Sequence, residues 1–213
     1  MNWNAAARIF VPLVLTLSLS AHAADPGPDE VLRKTTDEVM ATIKSDKDIA
    51  SGDRSKTYAL VESKIVPRFD FLRMTRLALG KNWNQATPEQ QTAVVDAFRT
   101  LLVRTYSGAL TRFRNLAISY KPWTGSPTDA NTIVQSTVVD NGRTVPIDYQ
   151  MNHADGSWKV YDIKVDGISL VTNYRSDFND RIKASGVDGL IRDLQDKAKA
   201  AETAAADGKV KKN

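Results

Sequence analysis

The stretch TIVQSTVVDNGRTVPIDYQMNHADGSWKVYDIKV, Thr132 to Val165, decides the fold. Its apolar residues alternate instead of recurring at helical steps. Thr132 to Val139 is rich in β-formers, and Asp140-Asn141-Gly142 is a strong hairpin signal. Val145, Ile147, Tyr149 and Met151 then alternate with Pro146, Asp148 and Gln150. Asp155-Gly156 turns the chain into a further strand, Ser157 to Val165. Upstream, Leu116, Ile118 and Tyr120 alternate with Ala117, Ser119 and Lys121. Four strands joined by short turns predict an antiparallel meander. Pro146 suggests an edge position or a bulge, since proline cannot donate to a ladder.

Working outward, the pattern on both sides is helical. Val31, Val39, Met40 and Ile43 form a stripe from Asp29 onward. A second helical stretch after Ser51-Gly52-Asp53 carries Leu60, Val61 and Ile65 and breaks at Pro67. Asp70 is placed to cap a third, which Gly80 ends. Thr87-Pro88-Glu89-Gln90 is a capping box with proline at the first helical position. Val94, Phe98, Leu101, Leu102, Tyr106, Leu110 and Phe113 then predict one long amphipathic helix, with Ser107-Gly108 as a bend. Beyond the meander, Ile168, Leu170, Val171, Tyr174, Phe178 and Ile182 share a helical face that stops at Gly186. Val187 to Lys197 forms a last short helix. Helices, then a meander, then helices indicate an α+β fold.

The N-terminus is a targeting segment. Arg8 precedes the apolar run Ile9 to Ser20, and Ala21-His22-Ala23 supplies the small residues of a cleavage site. The run is about twelve residues, against roughly twenty for a membrane span. Residues 1–23 are therefore expected to be a cleaved signal peptide, residues 24–197 a single α+β domain, and residues 198–213 a flexible polar tail. The destination is the periplasm. The formal charge of +4 falls to +3 when Arg8 leaves. A helix–turn–helix reading of Leu77 to Phe98 fails on these grounds, because an exported protein does not meet genomic DNA.

Chemistry is sparse. The sequence has no cysteine, and His153, in a turn between strands, is the only histidine once His22 is removed. No nucleophile–base pair, Gly-rich phosphate loop or His/Cys metal cluster is present. Asp162 and Asp166 lie four apart on one strand face, too far to share a proton, with Lys164 between them. No catalytic residue and no metal ligand is assigned, and the chain reads as a non-enzyme without a cofactor.

Two features remain. Alternation places Trp158 and Val160 on one face of the last strand and Tyr161, Ile163 and Val165 on the other. Apolar residues on both faces mean a sheet covered by helices on each side, or one that curls around an apolar cavity. The other feature is charge: Arg54 to Lys81 holds seven cations and two acids. It is either a solvated helical face or a surface for anionic head groups or an acidic partner.

The blocks Pro67-Arg68-Phe69-Asp70-Phe71, Leu77 to Trp83, Ala86 to Gln90 and Phe98 to Tyr106 resemble the MlaC family of toluene-tolerance periplasmic auxiliary proteins. A second set, Trp158 to Asp162, Asp166 to Val171 and Asn173 to Phe178, resembles the same family in the same order. The resemblance covers most of residues 30–195. It implies a curved antiparallel sheet similar to nuclear-transport-factor-2-like (NTF2-like) domains, wrapped by helices and enclosing an apolar lipid pocket. It implies a periplasmic shuttle carrying a glycerophospholipid as cargo, which maintains outer-membrane lipid asymmetry. The implied partners are an outer-membrane lipoprotein–porin complex and an inner-membrane ABC transporter with a hexameric lipid-binding subunit.

On that reading the inward apolar residues hold the acyl chains: Tyr106 and Leu110 on the long helix, Ile147, Tyr149, Ile163 and Val165 on the sheet, and Leu170, Val171, Tyr174 and Phe178 beyond it. Arg175 is the candidate for a phosphate at the mouth. The alternative is an NTF2-like module that binds a hydrophobic small molecule or a protein partner.

Overall fold

The structure is a computed structural model that describes residues 26–210 apart from 109, 111–115 and 127, with side chains described to Thr203. The expected signal peptide and the stripe residue Phe113 lie outside the described residues.

Helix α1 (Pro28–Ser45) opens the fold, followed by α2 (Lys47–Ala50) and α3 (Arg54–Leu60). A π-helical turn, Val61–Ile65, and a 3-10 turn, Val66–Arg68, continue α3 to the break that Pro67 predicts. Asp70 accepts the Arg73 N–H and starts α4 (Phe71–Leu79). Gly80 ends α4 at φ 56° and leads through a 3-10 segment to the capping box. There Thr87 Oγ1 accepts the Gln90 N–H at 3.2 Å and Gln90 Oε1 accepts the Thr87 N–H at 3.1 Å. Helix α5 (Pro88–Ser107) follows from that reciprocal pair.

Among the described residues, five antiparallel strands then pair in chain order: β1 (Ala117–Tyr120), β2 (Asn131–Asp140), β3 (Arg143–Ala154), β4 (Ser157–Val165) and β5 (Ile168–Ser169). Asn141-Gly142, Asp155-Gly156 and Asp166-Gly167 all take positive φ at both positions, the conformation of tight hairpins. The third hairpin adds β5 where the sequence predicts the start of a helix. His153 sits in β3 opposite Trp158, not in a turn. Pro146 lies in the central strand β3, not at an edge. Its carbonyl accepts the Asp166 N–H just beyond the end of β4, so its missing donor faces the β4–β5 turn and no ladder bond is lost.

One irregularity reorganises the sheet. Gln150 pairs with Asp162 and Met151 with Val160, so Tyr161 is an extra residue in β4. A one-residue bulge reverses the parity of everything beyond it. Ile163 and Val165 thereby join Trp158 and Val160 on one face, opposite Tyr149 and Ile147 of β3. Val134 and Val138 of β2 share that face through their pairing with Tyr149 and Val145. The reverse face carries Gln135, Asp148, Gln150 and Lys164, with Ile133 and Val139 exposed among them. The placement of Ile163 and Val165 expected from strict alternation is therefore corrected: they join the face that meets α1, while Tyr161 packs against residues of α4, α5 and the C-terminal helix, and Ile133 and Val139 stay on the reverse face.

Two helical layers meet the sheet. α1 lies on the apolar face, where Val31 and Leu32 pack with Val134, Met151, Trp158 and Val160. Further along, Val39 and Ile43 of α1 pack with Ile49 and Leu60. The second layer joins α4 and α5 to the C-terminal helix α6 (Leu170–Val210), which breaks at Gly186 (φ 68°). α6 runs on into the residues expected to form the tail. Its stripe Leu190, Leu194 runs on to Ala198, which is buried, and Glu202 Oε2 pairs with Arg104 at 2.8 Å. The carbonyl of Glu202 also accepts Arg54 Nη1 at 2.8 Å. An alanine continues the apolar stripe too quietly to be read as one.

Candidate functional site

The apolar sheet face is packed at one end and open at the other. At the packed end Trp123 meets Trp158 at 5.9 Å, and the Trp123 indole N–H donates to Thr132 Oγ1 at 2.8 Å. Tyr120 seals the middle against α1, with its hydroxyl 2.6 Å from Thr36 Oγ1. Beyond it Ile147, Tyr149 and Ile163 are only half-buried, Val165 is 46% exposed, and Ile168 at the β4–β5 turn is 70% exposed. Met40, Ile65 and Leu110 are similarly half-buried beside the α1–α3 cluster. The two buried clusters stay separate, and α1 is the element that joins them. What the sheet and α1 offer is an apolar surface whose packing is incomplete.

Its polar groups include the phenols of Tyr120 and Tyr149 and the buried Ser136 hydroxyl. Burial pushes the Tyr149 hydroxyl well above the ordinary tyrosine range, and the neighbouring Tyr120 adds to the shift. Burial also raises Tyr120, against a lowering by its bond to Thr36. Both hydroxyls stay neutral at physiological pH. Such a surface accepts apolar matter.

The two carboxylates singled out in the sequence serve the fold. Asp162 is buried on the reverse face, where its oxygens accept Ser169 Oγ at 2.6 Å, the Val171 N–H at 3.0 Å and Gln150 Nε2 at 3.3 Å. It thus holds the first turn of α6 to β4. Asp166 pairs with Arg143 at 2.9 Å in the hairpin turn. Among the described residues, no cluster of three or more His, Asp or Glu side chains is arranged to hold a metal.

The structure divides the predicted lipid-contact residues. Ile147, Tyr149, Ile163 and Val165 come together on one sheet face, and Leu110 lies by the α1–α3 cluster. Leu170, Val171, Tyr174 and Phe178 are elsewhere, in the α4–α5–α6 layer. There Phe98 meets Tyr174 at 4.8 Å and Phe178 at 5.0 Å, both edge-on. Tyr106 is 49% exposed at the end of α5. Arg175 lies away from the open face, with Nε donating to the Leu77 carbonyl at 2.8 Å. It borders a cleft between α4 and α6 with Arg73, Arg76 and Trp83. Sequence reading missed Met40 and Ile65 as half-buried neighbours, although both stand in apolar stripes.

The profile of the MlaC protein family matches residues 33–196. The chain belongs to the MlaC family. The Pseudomonas putida toluene tolerance protein ttg2D is 24% identical over 162 residues, 76% of this chain and 75% of that protein. The Haemophilus influenzae intermembrane phospholipid transport system binding protein MlaC is 20% identical over 179 residues, 82% of this chain and 84% of that protein. A phospholipid-binding protein from Ralstonia solanacearum, solved in complex with a phospholipid, superposes with a TM-score of 0.76 at 42% identity. That match covers 83% of this chain and 99% of the solved one. The MlaC fold of this chain is therefore the α+β arrangement of a solved phospholipid-binding protein.

Proposed function

We propose that this MlaC-family protein is a periplasmic carrier that encloses a glycerophospholipid and shuttles it between membrane complexes. The observation that carries the reading is the apolar face left open at Ile147, Tyr149, Ile163 and Val165. The phospholipid held by the similar Ralstonia protein supports it. In this assignment these four residues and Leu110 contact the acyl chains. Leu170, Val171, Tyr174 and Phe178 build the scaffold behind them, and Tyr106 and Arg175 lie outside the cargo face.

The physics demands an enclosure. Two acyl chains of some thirty methylenes cost on the order of 25 kcal/mol to expose to water. A half-finished apolar face recovers most of that, because bilayer and face are alike to a hydrocarbon chain. Transfer between them is then near neutral, and direction comes from the partners, not from the carrier. Those partners are an outer-membrane lipoprotein–porin complex and an inner-membrane ABC transporter with a hexameric lipid-binding subunit, and the role is upkeep of outer-membrane lipid asymmetry. No helix of the described residues is long and apolar enough to cross a membrane. Detergent-free purification, solvent extraction and mass spectrometry test the proposal. Stoichiometric phospholipid is expected, and an extract without phospholipid defeats it.

A further inference from the structure

The cation-rich run from Arg54 to Lys81 finds no use in the cargo site. Part of it borders a cleft of about 640 Å³ between α4, the following 3-10 segment and α6. Arg73, Arg76 and Arg175 stand around this cleft, and Leu72, Leu77 and Trp83 supply its apolar wall. Among the described residues, none of the three guanidiniums has a carboxylate within ion-pair reach of 4.0 Å. The one acid in the wall, Asp70, already accepts the Arg73 N–H and Asn152 Nδ2. The guanidiniums are held by other means. Arg73 stacks on the Tyr161 ring at 3.8 Å, Arg76 lies over Trp83 at 5.7 Å, and Arg175 is tied to the Leu77 carbonyl. Stacking orders an arginine without using its in-plane N–H groups, which stay free for an incoming anion. Leu72, beside them, is 53% exposed.

We propose that this cleft docks an acidic segment of a partner protein. A carboxylate sits among Arg73, Arg76 and Arg175, and a neighbouring apolar side chain lies on Leu72 and Trp83. Charge complementarity selects an anion, and the apolar wall selects one carried by a side chain with hydrocarbon nearby. Arg and Trp set around a recess are the residue types that concentrate binding energy at protein interfaces. A recess admits a protruding segment, whereas a flat bilayer would meet only its rim. None of the cleft residues belongs to the open sheet face, so docking and cargo occupy different surfaces. The inference therefore stands whether or not the cargo is phospholipid.

The test is fluorescence anisotropy of a labelled amphipathic peptide of glutamate and leucine, titrated with the full mature chain at low salt. The same peptide with glutamine in place of glutamate is the control. Vesicles of phosphatidylcholine with and without phosphatidylglycerol form a third arm. The glutamate peptide is expected to bind, with amide NMR shifts confined to the segments of Arg73, Arg76, Trp83 and Arg175. The glutamine peptide should bind about tenfold more weakly or worse, and added salt should weaken the acidic one. Arg76→Glu and Leu72→Asp change exposed side chains, so their melting curves should match the parent while peptide affinity falls about tenfold. Peptide binding that is indifferent to both variants overturns the proposal. So does a chain that ignores the peptide but binds anionic vesicles through Arg76. Phospholipid content measured on Arg76→Glu keeps the two readings apart. It should be unchanged, and its loss with peptide binding intact would assign the cleft to the cargo instead.

Discussion

The two apolar regions of this molecule are finished to different degrees. In the α4–α5–α6 layer Met74, Val94 and Phe98 are wholly buried, and Phe178, Leu190 and Leu194 are nearly so. Aromatic rings meet edge-on in their favoured geometry. On the sheet face the packing is equally tight around Val160 and Met151 but stops short at Ile147, Ile163 and Val165. The same residue types serve both regions. What differs is whether another part of the chain covers them. A completed core contributes stability, and an uncompleted one contributes binding capacity, because each Å² of apolar surface left in water holds about 25 cal/mol for whatever covers it.

The sharpest way to break this contrast is truncation on each side. Phe98→Ala removes a ring enclosed by Tyr174 and Phe178. It should cost about 3–5 kcal/mol in urea denaturation, the range for a phenylalanine deleted from a closed core. Below its new melting temperature the variant should still carry lipid. If Phe98→Ala costs no more than a change at Ile147, the division into scaffold and cargo face is wrong.

Asp162 joins the two regions, and its removal comes next in size. Asp162→Ala leaves the Val171 N–H and the Ser169 hydroxyl without their acceptor in a buried place. A loss of about 1–3 kcal/mol is expected. Asp162→Asn keeps one acceptor oxygen and should recover part of it. Because α6 starts at this carboxylate, hydrogen exchange should speed up first at Val171 and Thr172. Uniform acceleration across the sheet would mean that Asp162 supports β4 instead.

How much of this was legible follows from the same residues. The capping box, the Gly80 stop and the Asn141-Gly142 and Asp155-Gly156 hairpins are local chemistry, and local chemistry is written in short words. The bulge at Tyr161 is not. Nothing in the side chain of Tyr161 announces an extra residue, and its presence exchanges the faces of Ile163 and Val165. Reading strict alternation across it placed Ile163 and Val165 on the face opposite Trp158 and Val160, which the register corrects. The sequence excludes a shared proton for Asp162 and Asp166 but gives Asp162 no role; its three donors show that it caps α6. The site residues divide likewise. Period alone says that Phe178 and Ile163 face something apolar, and tertiary packing decides whether that is protein or open space.

On the open face the expected stability effect is smaller. Ile147→Ala removes a half-buried side chain with no closed cavity around it, so delipidated protein should lose less than about 1.5 kcal/mol. The lipid-loaded protein should lose more, since bound ligand stabilises the fold by mass action and the variant binds it less well. Calorimetry of loaded and delipidated forms reads the difference. Equal losses in both forms would place Ile147 in ordinary core and remove it from the cargo surface.

The smallest effect at neutral pH, and the most discriminating, belongs to the tyrosines. Tyr149 on the sheet face and Tyr174 in the helical layer both titrate well above the ordinary range, chiefly through burial. An unfolded tyrosine ionises near pH 10. Below that value both states are protonated and the full stability is present. As pH rises past about 10 the unfolded chain loses protons that the folded chain keeps, so stability falls until the folded groups titrate in turn. Tyr149→Phe and Tyr174→Phe should each make the alkaline decline shallower while changing stability at pH 7 by less than about 1 kcal/mol. Lipid separates them. Cargo on the sheet face covers Tyr149 and its neighbour Tyr120 further and leaves Tyr174 as it was, so loading should steepen the alkaline decline through the sheet-face pair. In Tyr149→Phe the divergence of the loaded and delipidated curves above about pH 10 should therefore narrow, whereas in Tyr174→Phe it should be unchanged. Divergence that follows Tyr174 instead would move the cargo into the helical layer and invert the roles of the two regions.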